Sequence, residues 1–123
     1  MHPFEHSLSS VKKWGGKVED YLQLHEFLDE TKRVIPDCRH RALRHHSEGI
    51  FLLERVFGST ITNSDGKVVP VRYIGEQHVR EDLGWIPTAQ DYFKDMPLAA
   101  WMTGPQKRSR VVKEVFALPE VPA

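Results

Sequence analysis

The sequence predicts an α+β fold, mostly α, with about five helices packed as a small bundle and one β-hairpin near residues 59–73. Three observations predict it. Apolar residues recur three and four positions apart through residues 21–57, the period of a half-buried helix. β-Branched residues then crowd the stretch 59–73 on both sides of Asn63-Ser64-Asp65-Gly66, a turn with a glycine free to take a positive φ. Finally, Pro3, Gly15-Gly16, Pro36, Gly58 and Gly84 fall where helices start or stop.

Each element follows from local chemistry. Pro3 suits a first helical turn, and Gly15-Gly16 closes a helix over Phe4 to Trp14. Asp20 caps a second helix, Tyr21 to about Val34, in which Tyr21, Leu24, Leu28 and Ile35 share one face. Pro36-Asp37 opens a third helix that runs to Phe57, with Arg39, Leu43, His46, Ile50, Leu53 and Phe57 on its core stripe. The hairpin follows, with Pro70 marking an edge or a strand end. A fourth helix spans Gly75 to Leu83. Thr88 caps a short fifth, Ala89 to Lys94, with Asp91 as the acid of a capping box. The division is a domain over 1–96 and a proline-punctuated extension over 97–123. In that extension Lys107-Arg108-Ser109-Arg110 is a basic run, and Val111 to Leu118 is a helix or strand suited to docking on a neighbour, so the extension is the expected route to any oligomer.

Composition narrows the function classes. At 123 residues the chain is one domain's worth, and 17 Lys plus Arg against 17 Asp plus Glu leave no net charge. General attraction to nucleic acid or a membrane has no footing in that balance. The single Cys38 forms no internal disulfide and reads as a small buried residue early in a helix. The N-terminal stretch has neither a basic n-region nor an apolar h-region, and no apolar run approaches a membrane span, so the cytoplasm is the expected location.

The chemistry concentrates in two places. Arg39-His40-Arg41-Ala42-Leu43-Arg44-His45-His46 holds six residues in eight that are basic or can become so, in a neutral protein. His25 and Asp29 stand four apart, as do His78 and Asp82, which sets a carboxylate on the face of its histidine in each helix. Such a carboxylate either joins the histidine in a metal shell or orients it from behind. The plain alternative is a pair of ordinary side-chain contacts and a solvated helix face, with His46 in the core.

Two functional expectations follow. In the first, His6, His25, His40, His45, His78, Asp29 and Asp82 come from different helices and supply a divalent metal site, zinc by donor type. Glu48, Glu54 and Glu81 are then candidate bases for hydrolysis, although no catalytic residue is assigned. In the second, Arg39, Arg41, Arg44 and Arg72 grip phosphates beside the stacking faces of Tyr73 or Trp85, which suits a nucleotide-like anion. No phosphate loop, zinc signature or nucleophile elbow is present to decide between them. A triad of Ser47, His78 and Asp82 is a weaker combination.

Two long segments, Arg39 to Gly49 and Val71-Arg72-Tyr73-Ile74-Gly75-Glu76-Gln77-His78-Val79-Arg80-Glu81-Asp82-Leu83-Gly84, resemble a family of small bacterial and phage proteins known only as a domain of unknown function. The resemblance extends over about residues 3–94. It takes in Trp14-Gly15-Gly16, His25-x-x-x-Asp29, Asn63-Ser64-Asp65-Gly66 and Ile86-Pro87-Thr88. It implies no activity. It implies a bacterial or phage setting, in which a small protein acts by binding a host protein or sequestering a signalling nucleotide.

Overall fold

The computed structural model describes residues 1–105. Helix α1 spans Pro3–Trp14 and α2 spans Val18–Asp29. Two 3-10 turns follow, Glu30–Arg33 and Cys38–His40, and then a single turn α3, Arg41–Arg44. Helix α4 is Ser47–Phe57, strands β1 and β2 are Thr60–Thr62 and Val68–Pro70, α5 is Val71–Leu83, and α6 is Ala89–Phe93. This is a mostly helical α+β fold with one antiparallel hairpin, as the sequence predicts. No helix among the described residues is long and apolar enough to cross a membrane. The basic run and the Val111 to Leu118 segment lie outside the described residues.

The α1–α2 connection is tied to the hairpin turn by side chains. Asp20 accepts from the Lys17 amide at 2.7 Å and from the Ser64 amide at 2.9 Å, so one carboxylate caps α2 and fixes the turn. Asp20 therefore sits inside α2, which begins three residues before the predicted start at Tyr21. Within the turn, Asn63 Oδ1 accepts from the amides of Asp65 and Lys67. Gly66, at φ 82°, supplies the left-handed residue. The strands pair Thr60 with Pro70, Ile61 with Val69 and Thr62 with Val68.

Helix α5 starts at Val71, four residues before the sequence predicts. Pro70 ends the strand at φ −63° and ψ 129°, and the chain turns directly into the helix. Val71 and Ile74 are β-branched, but both lie on the buried face of α5, and packing outweighs their strand preference. The apolar core gathers Tyr21, Leu24, Leu28, Leu53, Val69, Val71 and Ile74 from α2, α4, β2 and α5.

The predicted third helix is broken in the structure. His46 is extended, at φ −161° and ψ 174°, and the Ser47 amide donates to the Pro87 carbonyl rather than back along a helix. The His46 ring accepts from the Gly49 amide at 2.9 Å and caps α4. His46 is buried, but as a cap rather than as part of a continuous core stripe. Tyr92 donates to the His45 carbonyl at 2.9 Å, so α6 grips the same bend. Leu43, placed on the core stripe by its spacing, is 41% exposed because α3 and α4 do not share one axis. Cys38 is also exposed, at the start of a 3-10 turn, which corrects the expectation of a buried residue.

Candidate metal centre

The packing of α1, α2 and α5 leaves a second interior that is polar. His6, His25, His45 and His78 have no exposed surface, and Asp29 is 6% exposed. Burying this many imidazoles and carboxylates is costly unless each is paired or coordinated.

Helical spacing positions the donors. Positions 25 and 29 face inward from α2, and 78 and 82 from α5, each pair one turn apart. His6 comes from the first turns of α1, and His45 from the bend after α3. His78 Nε2 lies 3.2 Å from Asp29 Oδ1, 3.3 Å from Asp82 Oδ2 and 3.2 Å from His45 Nε2. His45 Nε2 lies 3.2 Å from Asp29 Oδ1 and 3.0 Å from Asp82 Oδ2. Four donor atoms thus converge from two helices and a bend, and Asp29, His45, His78 and Asp82 form a group able to hold a metal ion. A second group, His6, His25 and His78, adjoins it and shares His78.

The remaining atoms of these residues are engaged around the edge. Asp82 Oδ1 meets His6 Nε2 and the α-amino group of Met1, each at 3.2 Å. His6 Nδ1 lies 2.8 Å from Glu81 Oε1. His25 Nδ1 lies 2.9 Å from His78 Nδ1, and His25 Nε2 lies 2.8 Å from the Ser10 hydroxyl. Among the described residues, Asp29 Oδ2, His45 Nδ1 and Arg41 Nε are buried without a hydrogen-bond partner.

Charge in this interior is strongly biased. Burial pushes both aspartates toward the neutral acid, but hydrogen bonding, foremost from His45, outweighs it and holds both carboxyls well below the usual range. Burial likewise opposes charge on His45, yet the carboxylates of Asp29 and Asp82 outweigh it and hold its pKa above 6.5. His25 goes the other way, since burial and the neighbouring His78 and His6 lower it to about 2. His40 is lowered too, chiefly by burial.

A pH dependence follows for the metal-free chain. His25 stays neutral when folded but takes a proton below about pH 6.5 when unfolded, so the unfolded state gains as pH falls. Below that pH His45 already contributes its full stabilisation, and the two aspartates lose theirs only below their unfolded value of 3.8. Chelator-treated protein should therefore lose about 1.4 kcal/mol per pH unit from His25 alone between about pH 6.5 and pH 4.5. Urea midpoints across that range would check it, and a flat profile would contradict it.

The other sequence candidates lie apart. His40 Nδ1 bonds Thr31 Oγ1 at 2.9 Å, joining the two 3-10 turns, although its ring stands edge-on to His45 at 5.3 Å. Arg39 is exposed and paired with Asp37. Arg44 donates to the Phe27 carbonyl and to Glu30, each at 2.6 Å, and lies over the Phe27 ring. Arg72 faces Glu54 at 3.6 Å, and Tyr73 and Trp85 are exposed. Of the arginines among the described residues, Arg41 borders the centre, 3.9 Å from Asp82 Oδ1. Of the candidate bases, Glu81 touches the centre through His6, whereas Glu48 receives the Ala89 amide and Glu54 the Arg72 guanidinium. Ser47 donates to Glu48, away from His78. Ser10 and Gln77 were not legible as site residues. The available signals were positional: Ser10 stands one turn after His6, and Gln77 immediately precedes His78.

A family model described as "Domain of unknown function (DUF6915)" matches residues 1–102. The chain belongs to this family. The match contains every residue of the polar interior and extends past the predicted domain end at 96. No curated protein and no solved structure gives a significant match to the chain.

Proposed function

We propose that this protein binds one divalent metal, zinc, through Asp29, His45, His78 and Asp82. The observation that carries the reading is the spacing of the four donors. A tetrahedral zinc with bonds of about 2.0–2.1 Å separates its ligand atoms by about 3.3 Å. Five donor separations here lie between 3.0 and 3.3 Å. Two carboxylates balance the charge of a dication, and mixed imidazole and carboxylate donors suit zinc.

The ion is assigned to this group rather than to the three histidines. His6 and His78 are stacked, with centroids 3.7 Å apart and planes 25° from parallel. Imidazole lone pairs lie in the ring plane, so those of stacked rings run side by side instead of converging. Asp29 also lines a surface cavity of about 530 Å³ together with Lys32, Arg33 and Phe57. Four protein donors fill a tetrahedron, the closed pattern of a zinc that stabilises the fold, and hydrolysis would require one of them, Asp29 beside that space, to give way to a water.

Titration of metal-free protein with zinc against a chromophoric chelator tests the reading. The wild-type chain should take up zinc near one-to-one, and the Asp29→Asn, Asp82→Asn double variant should not. Equal uptake by both would refute the site.

A further inference from the structure

We infer that Ser10, Gln77 and His25 form an orienting chain that leaves His78 Nε2 as a bare lone pair aimed at the metal position. The inference rests on the zinc reading for its purpose, but its polarity is set by groups outside the four proposed ligands. The Gln77 side-chain nitrogen lies 2.9 Å from the His6 carbonyl oxygen and 2.8 Å from Glu81 Oε1. Both of those oxygens only accept, so the amide cannot be turned over without setting oxygen against oxygen. Gln77 Oε1 therefore faces Ser10 Oγ at 2.7 Å, with the His6 carbonyl oxygen at 3.1 Å, and the hydroxyl proton is spent on these two oxygens, neither of which can donate.

The remaining steps follow in order. Ser10 Oγ, its single proton used, accepts from His25 Nε2–H at 2.8 Å. A neutral His25 protonated on Nε2 presents Nδ1 as an acceptor. His78 Nδ1, 2.9 Å away, must then carry the proton. In a neutral His78 this leaves Nε2 without a proton, facing Asp29 Oδ1, His45 Nε2 and Asp82 Oδ2. The second ring nitrogen of a metal-binding histidine ordinarily donates to a carboxylate, carbonyl or water. Here another histidine accepts, and a serine and a buried amide set that histidine's tautomer. Because an amide passes no proton onward, the chain orients and does not conduct.

Ser10, Gln77 and His25 are thus positioning residues. Reversal of the chain would place a proton on His78 Nε2, where the metal belongs. In Ser10→Ala, His25 Nε2–H loses its acceptor and that reversal is permitted, whereas Ser10→Thr keeps the hydroxyl.

Long-range proton–nitrogen NMR of ¹⁵N-histidine protein tests this directly. In the metal-free wild-type chain His25 should be protonated on Nε2 and His78 on Nδ1, before any metal is added. Observing His78 protonated on Nε2 and not on Nδ1 would overturn the inference, whether or not zinc binds. A wild-type chain that shows the expected tautomers but takes up no zinc would retain the orienting chain and defeat only the metal reading. In Ser10→Ala the His78 tautomer should become mixed and zinc affinity should fall about 10- to 100-fold, with recovery in Ser10→Thr. A folded Ser10→Ala with wild-type tautomers and wild-type affinity would also overturn it.

Discussion

Saturating zinc should raise the melting temperature of the metal-free chain by on the order of 20 °C. A ligand present at a thousand times its Kd, and bound only by the folded state, stabilises that state by about 4 kcal/mol. In a domain of this size, each kcal/mol moves the midpoint by several degrees. The gain arises because the metal-free interior is poorly satisfied. Two buried carboxylates and two imidazoles share donor atoms within 3.3 Å, with the His45 proton holding them together. An ion that replaces that proton satisfies all four at once. Asp82→Ala should abolish the shift, because Asp82 also anchors His6 and faces Arg41. Calorimetry with and without zinc checks both statements. A shift of a degree or less in wild type, or an undiminished shift in Asp82→Ala, would contradict them.

Gly49→Ala should destabilise the fold by about 2 kcal/mol or more, against the sign that helix propensity predicts. Gly49 lies in the first turn of α4 and its φ is not positive, so alanine would ordinarily gain up to about 1 kcal/mol there. Its added Cβ would stand 1.9 Å from the Arg44 carbonyl oxygen and 2.5 Å from the carbonyl carbon. Those are backbone atoms, and no side-chain rotation relieves the contact. Overpacking costs up to about 3 kcal/mol or more when the backbone must move, so the contact wins. The bend that must open carries His45, and His46 beside it caps α4 through the Gly49 amide, so zinc affinity should fall with stability. Urea unfolding of Gly49→Ala beside Gly84→Ala separates the causes. At Gly84 the new Cβ meets nothing within 4 Å, and only the strain of φ 82° is added. A Gly49→Ala protein as stable as wild type would contradict the close approach.

Period and punctuation carry most of the fold. The Thr88 and Asp91 capping box around α6 is present as read, and the Asn63 to Gly66 turn closes the hairpin. The break at His45–His46 is not legible, because the residues that cause it are distant in sequence. The Pro87 carbonyl captures the Ser47 amide, and Tyr92 holds the His45 carbonyl. The i,i+4 pairs on α2 and α5 mark the site, but spacing along a helix does not disclose the partner across it. His78 does meet its own Asp82, whereas the contacts of Asp29 run to His45 and His78, and His25 turns to His78 and Ser10. The Arg/His run dispersed for the same reason. Once the helix broke, Arg39 and Arg44 became surface clamps on Asp37 and Glu30, His40 joined Thr31, and His45 alone of the run entered the donor group.

The central claim is that Asp29, His45, His78 and Asp82 hold a divalent metal. Elemental analysis of protein purified without chelators tests it most directly, with the Asp29→Asn, Asp82→Asn variant prepared in parallel. The account predicts near-stoichiometric zinc in the wild-type protein and none in the variant. Wild-type protein without metal that also takes up none from added zinc, or a variant as loaded as wild type, would contradict it.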